Sequence, residues 1–192
     1  IAFTVKVHGK ASHAGFAPQD GVHAIRIAAA AIAEMAIGRI GDDTTVNVGQ
    51  IEGGRASNIV PDYCEVSGEL RSFSHEKALE ELAKVEQIFA KEAEKRGGSI
   101  EFIRDICYQA YKTDEKESVV KEFQKACTAC GIKSSLIATF GGSDQNKMSE
   151  HGIPGIVMAS AMHQVHSCQE YTEVSEMAQV AGIVSELLQM KE

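Results

Sequence analysis

A two-part α/β chain is the fold the sequence predicts: a ferredoxin-like split βαβ unit, with an antiparallel sheet and two helices on one face, followed by a partial α/β segment. Two observations carry this. Across residues 1–108 the hydrophobic pattern switches between strand and helix periods in the order strand, helix, strand, strand, helix, strand. Across residues 109–192 the order changes to helix, strand, helix, strand, helix, which is the signature of a parallel unit. The expected division is therefore 1–108 and 109–192.

Residues 1–8 alternate, with Ile1, Phe3, Val5 and Val7 on one side and Ala2, Thr4, Lys6 and His8 on the other, as a half-covered strand does. Gly9 ends that strand. From about Gly21 to Ala36, the residues Val22, Ile25, Ala29, Ile32, Ala33 and Ala36 recur at helical spacing, with Asp20 available as a cap. Thr44–Glu52 and Tyr63–Phe73 read as two strands that pair antiparallel. Between them lie the turn Gly53-Gly54-Arg55-Ala56-Ser57-Asn58 and Pro61, which lacks the N–H needed to extend a ladder. Ser74 precedes a helix from His75 to Lys95 whose stripe is Leu79, Leu82, Val85, Ile88 and Phe89. Gly97-Gly98 closes it, and Ser99–Ile106 reads as the fourth strand.

Beyond Asp114, Val119–Ala129 reads as a helix, Ser134–Thr139 as a strand, Asp144–Glu150 as a short helix and Ile156–Ala159 as a strand. A last helix, Val174–Met190, carries Met177, Val180, Ala181, Val184 and Leu188 on its apolar face. Two short strands make a poor core by themselves, so this segment is expected to complete a larger sheet supplied elsewhere.

Composition narrows the function. The chain has 192 residues, 44% of them hydrophobic, and a net charge of −8, which disfavours a nucleic-acid surface built from clustered Lys and Arg. No apolar run reaches the roughly 20 residues needed to cross a bilayer, so no membrane role is expected. Five cysteines form no small-scaffold spacing and fit reduced thiols in the cytoplasm. Cys127 and Cys130 match a C-x-x-C string, but late in a helix, where packed thiols are expected rather than a redox pair. The first residue is Ile1 and opens directly into a strand, which suggests a start inside a longer product.

Several polar residues sit where a packed domain has no need of them. His13 follows the first strand between Gly9 and Gly15, where an imidazole can donate to a developing oxyanion or a substrate carboxylate, or can simply meet solvent. Asn58 lies between a flexible bend and Pro61; its amide offers a donor and an acceptor, unless it closes an Asx-type turn on its own backbone. Arg71, on the face opposite Leu70, suits a carboxylate or is an ordinary strand-end charge. Gly141, Gly142, Ser143 and Asp144 lead from a strand into a helix, so their backbone donors can face an anion, unless Asp144 takes them as a cap. His166 could ligate zinc with its ring oriented by a carbonyl or carboxylate such as Glu170, and His163 could join it or act separately.

With these residues in view, the chain resembles the tripeptidase, or peptidase T-like, branch of the binuclear zinc exopeptidase family that includes carboxypeptidase G, succinyl-diaminopimelate desuccinylase and aminoacylase. The matching pieces run in family order. They are Gly9 to Gly15, Gly38-Arg39-Ile40, Ile51 to Gly54 through Asn58 to Pro61, Gly68 to Ser72, Gly141 to Asp144, and His163 to His166 with Glu170-Tyr171.

The resemblance implies that residues 1–108 are an inserted lid used for dimerisation and that residues 109–192 are the carboxyl part of a catalytic domain holding two zinc ions. It implies that His13 acts on the reacting carbonyl, that Asn58, Arg71 and His163 contact substrate, that Gly141–Asp144 line the pocket, and that His166 is a metal ligand. The family's other ligands precede the lid, so this chain alone is expected to bind no zinc tightly and to be inactive, with a parent about twice as long. The implied parent is a homodimeric zinc metallopeptidase releasing the first residue of short peptides. An amidohydrolase of N-acyl amino acids and a noncatalytic dimerisation module are the alternatives.

Overall fold

The computed structural model describes residues 1–189, and the chain divides into two compact units, Ile1–Ala110 and Tyr111–Glu192. The fold is mixed α/β, with an antiparallel sheet and its helices first and further helix and strand elements after them.

In the first unit the elements are β1 (Ala2–His8), β2 (Ser12–His13), a 3-10 turn at Pro18–Asp20, α1 (Ala24–Glu34), β3 (Gly38–Ile40), β4 (Thr44–Gly53), β5 (Ile59–Val60), β6 (Tyr63–Ser72), α2 (His75–Lys95) and β7 (Ser99–Asp105). The main sheet has the order β3-β4-β6-β1-β7, and every neighbouring pair in it is antiparallel. Without β3, this is the split βαβ arrangement expected from the sequence. The period-two pattern of β1 explains its central place: Phe3, Val5 and Val7 are buried, while Thr4 and Lys6 stay partly exposed on the other face. Val66 and Leu70 of β6 and Val46 of β4 join them beneath α1 and α2.

Both helices pack by small or well-spaced side chains. In α1, Ala24, Ile27, Ala28 and Ala31 are buried, and the alanines let the helix axis come close to the sheet. In α2, Ala78, Leu82, Val85, Phe89 and Ala93 recur on one stripe. Ser74 caps α2, its hydroxyl accepting from the Lys77 N–H at 3.3 Å, and Gly97 closes it at φ +75°. Buried among these apolar groups is Glu92, paired with Arg96 and with Lys95. Burial pushes its pKa up, but the two neighbouring cations outweigh that and hold it below the ordinary carboxylate value.

Three sequence expectations need correction here. Asp20 does not cap α1; it lies in the 3-10 turn, and His23 is the cap, its Nδ1 accepting from the Arg26 N–H at 3.2 Å. The first helix stops at Glu34 rather than Ala36. Leu79 is off the buried stripe of α2, because Ala78, one residue earlier, sits in register with Leu82 and Val85.

The second unit contains α3 (Ser118–Ala129), α4 (Asp144–Glu150), β8 (Met162–His163), β9 (Tyr171–Thr172) and α5 (Val174–Gln189). Met190, the expected end of the last helix, lies outside the described residues. Ala126 and Cys127 of α3 pack with Ile183 of α5, and Phe123, Ile132 and Leu187 surround them. Cys127 is thus a core residue, and burial pushes its thiol pKa up, the reverse of what a redox nucleophile requires. The expected strands Ser134–Thr139 and Ile156–Ala159 do not form: neither segment belongs to a ladder among the described residues. Strands need partners, and among the described residues the sole ladder of this unit is the short β8–β9 pair.

Candidate functional site

Apart from Arg71, the residues singled out in the sequence lie near β2 and β5 in the first unit or around α4 and β8 in the second. In the first unit, the segment after β1 is tied down at several points. The Gly9 N–H donates to the Asp62 carbonyl at 2.8 Å, and Lys10 and Val22 exchange both backbone hydrogen bonds at 2.9 Å. The chain then forms β2, which pairs antiparallel with β5 so that Ser12 faces Val60 and His13 faces Ile59. Gly21 makes this possible: a Cβ there would come 2.4 Å from Ser12 Oγ and 2.9 Å from Val60 Cγ1.

His13 is exposed, yet its ring is held. Nδ1 accepts from the backbone N–H groups of Gly15, at 3.1 Å, and Phe16, at 3.2 Å, and the His13 carbonyl accepts from the Ala17 N–H at 3.0 Å. An imidazole nitrogen that accepts two hydrogen bonds carries no proton, so the proton of the neutral ring sits on Nε2. The loop therefore presents an outward N–H donor in one fixed tautomer. The ring also packs on Phe16, with centroids 4.4 Å apart and planes at 32°.

Asn58 is brought beside His13. Its backbone carbonyl accepts from the Ala14 N–H at 2.9 Å, continuing the β2–β5 ladder by one bond. The Ile59 N–H goes to the Ala56 carbonyl at 3.3 Å, so backbone rather than the Asn58 amide closes the turn. Arg55 braces the same turn from the other side, its Nη2 donating to the Asp62 carboxylate at 2.6 and 2.9 Å. That guanidinium hydrogen bond holds the Asp62 carboxyl below its usual pKa. The β2–β5 ladder and the Arg55–Asp62 pair escaped the sequence reading. Two-residue strands leave no period to detect, although Arg55 and Asp62 flank the turn visibly enough.

Arg71 is not part of this group. It lies about eight residue steps, roughly 26 Å, along β6 from Tyr63, the end to which the His13 segment is anchored. There it forms a two-pronged pair with Glu69, both bonds at 2.9 Å.

In the second unit, Ser143 rather than Asp144 is the N-cap of α4, and Asn146 Oδ1 accepts from the Ser143 N–H at 3.0 Å. Asp144 is thereby left in the first turn with its carboxylate outside the capping contacts. His163 pairs β8 with Tyr171 of β9, stacks on that ring at 4.8 Å, and makes a 2.5 Å contact from Nε2 to Glu176 Oε2. The Glu170 carboxylate accepts from the backbone N–H of His166 at 3.0 Å rather than orienting its ring. Ala161, Gln164 and His166 have φ of 61°, 50° and 64°, a run of left-handed non-glycine residues that only a constrained loop maintains.

Metal binding can be tested on this donor set. Among the described residues no three His, Cys, Asp or Glu side chains come together as a metal-holding group. One exposed imidazole does not fit a two-metal centre, which requires several ligands around each ion. Among the described residues no helix is long and apolar enough to cross a membrane.

The model of the M20 peptidase dimerisation domain matches residues 1–97. Aminopeptidase PepT from Bacillus cereus ATCC 10987 is 36% identical, with a TM-score of 0.81 over 98% of this chain and 52% of that one. A tripeptidase from Staphylococcus aureus subsp. aureus Mu50 is 31% identical, with a TM-score of 0.89 over 98% of this chain and 50% of that one. The uncharacterized protein YqjE of Bacillus subtilis (strain 168) is 35% identical over 183 residues, 95% of this chain and 49% of its own length. The chain thus spans about half the length of the relatives it matches.

Proposed function

Since the chain belongs to the M20 peptidase dimerisation-domain family, we propose that the whole protein is a zinc-dependent metallopeptidase that removes the first residue of short peptides. In this reading the first unit serves as lid and dimerisation surface, and the second contributes part of the substrate pocket. The observation that carries it is the state of His13. An imidazole whose Nδ1 is occupied by two backbone N–H groups keeps Nε2–H aimed outward, and that is the donor needed where charge develops on a peptide carbonyl oxygen. Asn58, in the turn just before β5, is tied to the same short ladder through its backbone carbonyl, and in this reading its side-chain amide contacts substrate. The likeness to a PepT aminopeptidase and a tripeptidase supports peptides over other amides as substrate.

The second unit fills the remaining roles. Gly141, Gly142, Ser143 and Asp144 line the pocket, His163 contacts substrate, and His166 joins metal ligands that lie outside this chain. Arg71, remote from His13 along β6, binds a substrate carboxylate. All five cysteines are free thiols, which suits an enzyme of the cytoplasm.

The test is amine release by the whole protein from a tripeptide, a dipeptide and an acetylated amino acid. Turnover of the tripeptide, removed by chelation and restored by zinc, is the expected result. Failure on every peptide, with the acetylated amino acid hydrolysed, would replace this reading by the amidohydrolase one.

A further inference from the structure

Phe16 is the large side chain of the first unit that internal packing does not explain. It is 86% exposed, whereas no other exposed large apolar residue of residues 1–110 passes 52%. An isolated exposed apolar side chain is ordinary, so exposure alone decides nothing. Its contacts do more. The Phe16 ring lies 4.4 Å from the His13 imidazole, and its own N–H is one of the two donors that fix His13 Nδ1. Ring and imidazole are therefore held as one unit by a tilted ring contact and a hydrogen bond from the Phe16 backbone.

Ile59 adds a second apolar group. It stands directly across the β2–β5 ladder from His13, and cross-strand partners in an antiparallel pair project to the same face. The residue is 40% exposed. The outward Nε2–H of His13 thus has exposed apolar surface beside it, contributed by Phe16 and Ile59. A donor of that kind meets a peptide carbonyl, which every peptide has. The apolar groups next to it meet side chains, which differ from one peptide to another.

We propose that Phe16, assisted by Ile59, determines specificity: it contacts the side chain of a residue flanking the scissile peptide bond and favours apolar side chains there. This rests on the proposed peptidase reading, with His13 at the reacting carbonyl. Apolar contacts in enzyme pockets discriminate side chains by about 10- to 200-fold, and one open wall belongs at the low end, about 10-fold.

The experiment uses the whole protein and two peptide series, X-Gly-Gly and Gly-X-Gly, with X as Ala, Leu or Lys. Phe16→Ala should lower the Leu-to-Ala ratio of kcat/KM by about 10-fold in at least one series, and Phe16→Leu should recover most of it. A thermal unfolding scan of both variants, expected to match the unmutated protein because Phe16 is so exposed, separates selectivity from folding. An unchanged ratio in both series overturns the proposal. So does an equal loss on all substrates, which would make Phe16 only a support for His13. If the unmutated protein turns over no peptide, the peptidase reading itself has failed.

Discussion

Replacing His13 separates its two ring nitrogens. Nδ1 organises the loop through Gly15 and Phe16, while Nε2–H is the outward donor. Asparagine places an amide oxygen near the position of Nδ1 and nothing near Nε2. Glutamine does the reverse, reaching toward Nε2 and leaving the two exposed backbone N–H groups to water. One preorganised oxyanion donor is worth about 10²–10³ in kcat, or roughly 2.7–4 kcal/mol. If His13 donates to the peptide carbonyl as proposed, its fixed tautomer and ring direction mean that His13→Asn should lose that full factor although its loop stays intact. His13→Gln should lose less, on the order of 10-fold, because a flexible amide still donates at the right reach. The assay is steady-state hydrolysis of a tripeptide by the whole protein, with KM measured for each variant. A loss confined to transition-state stabilisation lowers kcat and kcat/KM together. A rise in KM with kcat unchanged, or a His13→Asn variant slower by less than about 10-fold, would refute the reasoning.

Other expectations concern the scaffold. Phe89 is fully buried between α2 and the sheet, so Phe89→Ala should cost about 3–5 kcal/mol in a denaturant titration, and a loss under about 1 kcal/mol would contradict the packing described. A Cβ on Gly68 would lie 2.3 Å from the Asn47 carbonyl oxygen and 2.3 Å from the Phe3 ring. Gly68→Ala should therefore destabilise by about 1–3 kcal/mol, visible as a lowered Tm. Glu92 has a depressed pKa in the fold, so its contribution is complete above the unfolded value of about 4.3 and disappears as pH falls through the folded value. Glu92→Gln should accordingly flatten the fall in stability below about pH 4.3. An acid titration as steep as that of the unmutated protein would count against the buried pair with Arg96.

Legibility in the sequence followed the strength of periodicity. The α2 helix runs from His75 to Lys95 as read, because its apolar stripe and the Ser74 cap agree. Strand β1 was legible because Phe3, Val5 and Val7 alternate with polar residues over seven positions. His23 was overlooked as a cap because histidine is an uncommon choice there, and Asp20, a preferred type, stood three residues away. The positions of His13 and Asn58 could be singled out from their glycine-bounded turns, but not their adjacency, since long-range pairing of two-residue strands leaves no local trace. The held tautomer of His13 was equally invisible, because it depends on where two backbone N–H groups point.

The second unit shows why a correct local pattern need not yield the element it predicts. Ile137 and Val157, at the middle of the two segments read as strands, are 83% and 56% exposed. A buried parallel strand is recognised by its apolar run, but it exists only when neighbours take up its backbone N–H and C=O groups on both sides. Neither segment has such a neighbour among the described residues, while the helices whose hydrogen bonds are internal, α3, α4 and α5, form where expected. Helices satisfy their own backbones and strands borrow that satisfaction. On this argument amide exchange at Leu136–Thr139 and Ile156–Ala159 should be fast in the isolated chain and slowed strongly in the whole protein. Equal exchange in the two would mean that the apolar runs serve something other than a sheet.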